Sequence, residues 1–366
     1  MNPFAGKYNS IYEVAALSGR TREVADLQER IRQRQDVLLL GPEGVGKSSM
    51  LLCALSKEFC EEMAATHHLL ITAPFEYPTR LAEERVFPFL VDNIISAVRR
   101  VLDPEVGSRL ADKILMEAER HLEPTGMFKH VIDMLYDEEG YCCVLVIDNF
   151  ERFTSSEDVT MAQHEIMRSL MQEGHLRFVV ATNYDLSQDS LPPQIKGSFY
   201  LQKFYGCELP LGGLSKADTR SFLVSLGGER FAVLSEQLFG ISGGIPRLLL
   251  TSASEAYNLL EETGASELTL AQWGRVRQNT LEHLTTLMSH WCQALTETRM
   301  QVLQKVAKGA RSVAEAGAAE VLSRDRGLLR KTRRGDYEIV AGLLADYLQK
   351  TPTVETSPEP WRWIWQ

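Results

Sequence analysis

The stretch "VLLLGPEGVGKSSMLLCAL", from Val37 to Leu55, decides the fold. Its centre, Gly41 to Ser48, matches the phosphate-loop pattern GxxxxGK followed by Ser or Thr in full. The apolar run before the loop has the character of a buried strand, and the apolar residues after it recur at helical spacing. A strand, a glycine loop and a helix in this order predict a nucleoside triphosphate site.

Each part of the loop has an expected task. Its glycines let the backbone curl so that amide N–H groups point at phosphate, and the helix that starts near Lys47 adds its positive end. Lys47 is expected to reach the β- and γ-phosphates of ATP, and Ser48 to ligate Mg²⁺, a hard cation that prefers oxygen. The predicted ATP-binding residues of the loop are Gly41, Pro42, Glu43, Gly44, Val45, Gly46, Lys47, Ser48 and Ser49.

Two further apolar runs end in polar residues. "YCCVLVIDNF" is a continuous apolar strand, typical of a parallel sheet buried on both faces, and it ends at Asp148. Asp148 is expected to hold Mg²⁺; its alternative is to cap the helix that follows. "LRFVVATNYD" ends at Thr182 and Asn183, where Asn183 either holds the attacking water against the γ-phosphate or forms a turn.

The catalytic base is the open point of the site. Asn149 follows Asp148 and cannot accept a proton. Glu151 is the nearest carboxylate after Asp148 and is the candidate base. The alternative is that Glu151 is a solvated charge at the start of a helix. The expected catalytic residues are therefore Lys47, Asp148, Glu151 and Asn183.

The composition is that of an ordinary globular protein. Of 366 residues, 44% are apolar and 24% are charged, and the net charge of -10 argues against a protein coated in basic surface. No apolar stretch is long enough to predict a membrane span, and "MNPFAGKYNS" lacks an apolar signal core. The six cysteines include no CxxC pair, which argues against zinc or disulfide frameworks and favours a reducing cytoplasm.

The order of the motifs resembles bacterial and archaeal ATPases that lie between the AAA+ origin-recognition ATPases and the STAND signalling NTPases. "NPF" at Asn2–Phe4 and "GRxxE" at Gly19–Glu23 are similar to the family's N-terminal segment, which helps enclose the adenine. "ISGGIPRLLL" matches the lid signature GGxPR, although the glycine pair is also typical of a helix cap and a turn before a new helix. The resemblance implies that Arg20, Pro246 and Arg247 contact the nucleotide, and it implies an α/β fold: a P-loop NTPase three-layer αβα core, a helical lid and a C-terminal winged helix.

Two departures from the family weaken the expectation of rapid turnover. The residue after Asp148 is Asn149 and not an acid. The stretch where AAA+ machines carry an arginine finger, "LPPQIKGSFYLQKFYG", holds Lys196 and Lys203 but no arginine. A lysine offers a point charge and not the planar fork of arginine.

The C-terminal third has the order of a winged helix. "SHWCQALTETRMQVLQKVAKG" predicts one amphipathic helix, "SVAEAGAAEVLSRDRGLLRK" one or two more, and "GLLRKTRRGDYEIV" a hairpin before a last helix. Residues 301–350 contain ten Lys or Arg against six Asp or Glu. This cluster suits phosphate contacts with double-stranded DNA at weak sequence specificity, although a protein-binding or merely solvated face is the alternative. The predicted DNA-binding residues are Arg324, Arg326, Arg330, Lys331, Arg333 and Arg334.

The last residues form a distinct tail. Three of the five tryptophans, Trp361, Trp363 and Trp365, alternate with Arg362 and Ile364 after an extended linker. They either dock on the protein's own surface or anchor a protein partner, because Trp and Arg dominate interface energies.

The sequence therefore predicts four segments. These are the ATPase core 1–212, the lid 213–280, the winged helix 281–350 and the tail 351–366. The expected function is an ATP-dependent regulatory ATPase with slow or partner-stimulated hydrolysis that switches a DNA or protein partner, with ATP and Mg²⁺ as cofactors. The alternative is a nucleotide-holding scaffold that recruits an effector; a homo-oligomer is left open.

Overall fold

A five-stranded sheet forms the centre of the fold in a computed structural model of the chain. The structure describes residues 2–5, 19–74, 83–120, 123–155, 161–183, 186, 197–293, 295–310, 313–324 and 327–350. The strands are β1 Val37–Leu40, β2 His68–Pro74, β3 Cys142–Asp148, β4 Leu176–Thr182 and β5 Glu208–Pro210.

The strand order in the sheet is β2-β3-β4-β1-β5. Strand β3 runs parallel to both β2 and β4, with Leu145 opposite Ile71 on one side and Phe178 on the other. All residues of β3 before Asp148 are buried. A strand that is apolar on both faces needs helices on both sides, so the predicted three-layer αβα core is confirmed.

Nine helices are described in the part of the chain that contains the sheet, from α1 to α9. They are α1 Thr21–Arg32, α2 Lys47–Ala54, α3 Lys57–Ala65, α4 Glu83–Val101, α5 Pro104–Arg120, α6 Pro124–Asp137, α7 Phe150–Ser155, α8 Met161–Glu173 and α9 Phe199–Gln202. The apolar faces of α4, α6 and α8 pack in one core with β3 and β4.

The C-terminal part is largely helical. Its elements are α10 Lys216–Gly227, α11 Arg230–Ser242, α12 Pro246–Thr263, α13 Leu270–Gln293, α14 Glu297–Ala307, α15 Ala316–Arg324, β6 Leu329–Lys331, β7 Tyr337–Ile339 and α16 Gly342–Lys350. The antiparallel hairpin of β6 and β7 lies where the sequence predicts it. The order from α14 to α16, helix, helix, hairpin and helix, is that expected of a winged helix.

One expectation for this part was wrong. The single helix predicted over "SHWCQALTETRMQVLQKVAKG" is broken, since α13 ends at Gln293 and α14 starts at Glu297. The cause is Thr296, whose hydroxyl caps α14 by accepting a hydrogen bond from the backbone N–H of Arg299. Helix α13 also runs through residue 280, where the sequence places the end of the lid.

The chain divides into two compact units. Of the described residues, the first contains those before Ala25, the loop segment Leu40–Cys53 and the chain from Pro210 to Lys350. The second contains mainly Ala25–Leu39 and Ala54–Leu209. Each unit has its own hydrophobic core.

The first unit buries the start of the chain. Phe4 is fully buried and packs edge-on against Phe231, with 4.6 Å between ring centroids. The side-chain amide of Asn2 donates to the side chain of Asn258 at 2.8 Å. The "NPF" segment is therefore held on α11 and α12.

Candidate nucleotide-binding site

The phosphate loop lies between β1 and α2, as the sequence predicts. Gly44 and Gly46 have φ angles of 81° and 99°, in the left-handed region that favours glycine. A Cβ atom on Gly41 would lie 2.5 Å from the backbone oxygen of Leu211. Two of the loop glycines are thus required by backbone conformation and the third by close packing.

Lys47 is the first residue of α2 and is only 7% exposed. Its ammonium donates hydrogen bonds to the backbone oxygens of Gly41 at 2.7 Å and Pro42 at 3.2 Å. These contacts hold a positive charge against the loop. Ser48 and Ser49 follow in the first turn of α2 and are partly exposed.

Arg20 binds the backbone of the loop from the N-terminal segment. Its guanidinium is 3% exposed and donates to the oxygens of Val45 and Gly212 and to the carboxylate of Glu23. Burial lowers the pKa of Arg20, while the carboxylate of Glu23 acts against this shift. The structure thus places Arg20 against the loop backbone. Its contact with nucleotide stays a prediction.

The lid signature also reaches the loop. Pro246 begins α12, after Gly243 and Gly244 have turned the chain with positive φ angles. The backbone N–H of Arg247 donates to the oxygen of Gly44 at 3.1 Å. Its guanidinium donates to Glu43 at 2.8 Å. Arg247 is therefore tied to the phosphate loop by both backbone and side chain.

Some neighbours of the loop were not foreseen from the sequence. The ring of His290, on α13, lies 3.7 Å from the carboxylate of Glu43. The position of a Cβ on Gly327 would be 3.7 Å from Pro42 and 3.6 Å from Gly212. These residues are far apart along the chain and carry no motif, so a local sequence pattern could not identify them.

A second group of predicted residues lies in the second unit, at the ends of β3 and β4. Asp148 ends β3 and accepts a hydrogen bond from the backbone N–H of Asn149 at 2.9 Å. Asn149 has a φ angle of 52°, a left-handed conformation that asparagine tolerates better than most residues. The turn from β3 to α7 therefore explains why an asparagine suits this position.

Glu151 and Asn183 are brought together in this group. Glu151 is 6% exposed on α7, so the alternative of a solvated charge is wrong. The side-chain amide of Asn183 donates to one carboxylate oxygen of Glu151, and the backbone N–H of Asn183 donates to the other at 3.3 Å. Thr182, the last residue of β4, is fully buried.

The predicted DNA-binding residues lie on α15 and the hairpin. Arg330 pairs with Glu338, and Lys331 lies 3.5 Å from Glu320, so part of the basic cluster has acidic neighbours. The exposed members are Arg324, Arg330, Lys331, Arg333 and Arg334. Arg326 lies outside the described residues, as do Lys196 and the tryptophans of the tail. Lys203 caps the C-terminus of α9 and is exposed.

No helix among the described residues is long and apolar enough to span a bilayer.

The sequence profile of the novel STAND NTPase 1 family matches residues 10–204, which is more than half of the chain. The chain belongs to this family. It is a Walker-type NTPase, in agreement with the resemblance drawn from its motifs. No curated protein matches the chain.

Solved structures share the fold. A Walker-type ATPase of Pyrococcus abyssi superposes with a TM-score of 0.53 at 18% identity, covering 91% of this chain and 96% of that one. The ORC2 protein of Aeropyrum pernix, solved in ADPNP–ADP complexes, superposes with a TM-score of 0.50 at 13% identity, covering 90% and 94%. At these identities the likeness establishes the architecture.

We predict that Arg20→Ala weakens ATP binding and lowers the melting temperature, because the loop and Gly212 lose a buried donor. Binding of a fluorescent ATP analogue and thermal unfolding measure the two effects. Arg22→Ala, which removes an exposed arginine two residues away, is the control and should change neither. Equal behaviour of the two variants would show that Arg20 does not hold the loop.

Proposed function

We propose that the protein is an ATP-binding regulatory ATPase whose nucleotide state sets the position of its lid, and through it the binding of DNA or a protein partner. The observation that carries the proposal is the double contact of Arg247 with the phosphate loop. A lid that touches the loop directly changes its contacts when phosphate binds there.

The chemistry of the lid contact supports a switch. The guanidinium of Arg247 pairs with the half-exposed carboxylate of Glu43. The γ-phosphate of ATP offers a stronger, bidentate acceptor for the same guanidinium. ATP thus favours one lid position over another, which is the differential interaction that a ligand-driven change requires.

The proposal includes a magnesium ion, and the chain carries oxygen donors of the kind that this ion takes. Ser48 offers a hydroxyl at the start of α2, and Asp148 offers a carboxylate at the end of β3. Hard oxygen ligands of this kind are what Mg²⁺ prefers. The ion neutralises phosphate charge when bound, while the protein's part is to supply these ligands and Lys47.

The switch is tested by hydrogen exchange of α10 to α12 with and without a non-hydrolysable ATP analogue. The parent should show changed protection in these helices upon binding. Arg247→Ala should bind the analogue with a reduced change, because the lid has lost the guanidinium that is proposed to leave Glu43 for the γ-phosphate. Lys47→Ala should lose binding altogether. If the change in hydrogen exchange in Arg247→Ala equals that of the parent, Arg247 does not couple the nucleotide to the lid.

Hydrolysis is assigned to Glu151. Its buried carboxylate accepts the proton of the attacking water, and Asn183 orients that water or the carboxylate itself. Because Asn183 holds both carboxylate oxygens, Glu151 must give up a hydrogen bond to act. Turnover is therefore slow, or it is stimulated by a partner that shifts this contact.

We predict that Glu151→Gln lowers the rate of ATP hydrolysis by about 100-fold or more, the usual contribution of a general base, and leaves ATP binding intact. Phosphate release at saturating ATP is the measurement. The control is Glu165→Gln, which changes a glutamate on α8 that pairs with Arg168 near the surface. If both variants hydrolyse ATP at the parent rate, Glu151 is not the base.

DNA binding is assigned to the hairpin. Arg333 and Arg334 are exposed next to Arg330 and Lys331, in a chain of net charge -10. Local positive charge of this kind suits contacts with the phosphate backbone of DNA. Such contacts do not distinguish one base sequence from another. The Ala-rich α15 offers few side chains that read base edges, so the binding is weakly specific.

We predict that the double variant Arg333→Glu with Arg334→Glu weakens binding to a short DNA duplex by about tenfold or more and flattens its salt dependence. Fluorescence anisotropy at several salt concentrations measures both. Arg99→Glu with Arg100→Glu reverses another exposed pair of consecutive arginines, on α4, and is the control. Failure of the parent to bind DNA would remove this part of the proposal.

A nucleotide-holding scaffold is the second candidate. The engaged carboxylate of Glu151 and the lack of an arginine in the stretch before β5 favour it. The protein then recruits a partner, with the tryptophan tail as the predicted anchor. ATP binding by the parent, with the same background hydrolysis as Lys47→Ala, would support this candidate over the first.

A further inference from the structure

A cavity of about 640 Å³ lies in the first unit between the lid and the hairpin. Its lining comes from the start of α10, the end of α11, and β6 with its neighbours in the chain. The lining residues are Gly212, Gly213, Leu214, Ser215, Lys216, Phe239, Gly243, Ser323, Gly327, Leu329, Arg330, Lys331 and Val340.

The lining is positively charged. It contains Lys216, Arg330 and Lys331, and no carboxylate is among its residues. This is unexpected in a chain of net charge -10. Three cations that line one cavity attract an anion, because like charges held near one another gain from a shared counter-charge.

The carboxylates that pair with these cations lie outside the lining. Lys216 is 3.5 Å from Glu236, Lys331 is 3.5 Å from Glu320, and Arg330 is 2.6 Å from Glu338. The side chains in all three pairs are about half exposed or more, and exposed ion pairs contribute little free energy. An incoming anion can therefore exchange with these carboxylates at small cost.

Lys216 is the member of this set that belongs to the lid. It is the first residue of α10, directly after Ser215, whose hydroxyl caps the helix. Its ammonium lies 5.7 Å from the centroid of the Phe239 ring, which steadies the long side chain at the edge of the cavity. The positive end of α10 adds to the attraction for an anion.

We propose that this cavity binds a phosphate of the nucleic-acid backbone, with Lys216 of the lid contacting it together with Arg330 and Lys331 of the hairpin. The inference rests on the proposed DNA binding and adds a contact outside the winged helix. The cations are 50–66% exposed, which suits a polyanion approached from solvent better than a small enclosed ligand. Arg333 and Arg334 extend the charge along the same hairpin.

The position of Lys216 depends on the lid and the loop. The backbone N–H of Leu214 donates to the oxygen of Gly244 at 2.8 Å, three residues before Arg247. Gly212 and Gly327, which line the cavity, lie against each other, and Gly327 also approaches Pro42 of the phosphate loop. A composite phosphate site is thus formed from the elements that nucleotide is proposed to move.

The test is binding of the full chain to a short fluorescent duplex between about 50 and 200 mM salt, comparing the parent, Lys216→Gln and Lys57→Gln. Lys57 is a matched control: it too begins a helix after a serine cap, is exposed, and has one glutamate at 3.6 Å. We expect Lys216→Gln to reduce the slope of log affinity against log salt by about 0.9, the value for one phosphate contact. Lys57→Gln should keep the parent slope.

Lys216→Gln should keep the melting temperature and the ATP-analogue affinity of the parent. These two measurements show that the variant is folded. If the parent binds DNA and both variants keep its slope, the inference is overturned while the proposed DNA binding stands. If the parent does not bind the duplex at all, the proposed DNA binding and the inference both fail.

Discussion

The arrangement of the first unit depends on the backbone of the phosphate loop. Its carbonyl groups accept hydrogen bonds from an ammonium group, a guanidinium group and a backbone N–H group. Lys47 binds the oxygens of Gly41 and Pro42, Arg20 binds that of Val45, and the backbone of Arg247 binds that of Gly44. A phosphate loop presents its N–H groups to phosphate, so its carbonyls must be satisfied by other groups. The carbonyls of Gly41 and Pro42 are satisfied by Lys47 of the loop's own helix. Those of Val45 and Gly44 are satisfied by Arg20 and by the backbone of Arg247, which connects the N-terminal segment and α12 to the phosphate loop.

Much of this could be predicted from the sequence, because the controlling features are local. The glycines at positive φ, the strand before them and the helix after them occupy one continuous stretch. The buried β3 and β4 are likewise continuous apolar runs that end in polar residues. A local pattern cannot identify which distant residue a given side chain contacts. The pairs Arg247–Glu43 and Arg20–Gly212 join residues about two hundred positions apart.

The charged residues also show that a sequence pattern does not identify contacts between residues that are distant along the chain. The basic cluster at residues 324–334 is visible in the sequence, but its acidic neighbours Glu320 and Glu338 are close in the fold and reduce its net charge. Conversely, Lys216 belongs to no charge cluster in the sequence, and only the fold brings it to the same cavity as Arg330 and Lys331. A net charge of -10 therefore neither excludes nor locates an anion site, since the field at a surface depends on which charges the fold brings together.

The asparagine after Asp148 is explained by the backbone conformation at the end of β3. Asn149 adopts a left-handed conformation, and a glutamate there would be strained, because bulkier L-residues rarely occupy this region. The carboxylate that the fold buries beside the end of β4 is that of Glu151. Under the proposed role of Glu151 as the base, hydrolysis depends on how readily Asn183 releases this carboxylate. In the proposed mechanism, a base held in this way keeps ATP bound for long periods, which is what a switch requires and a motor does not.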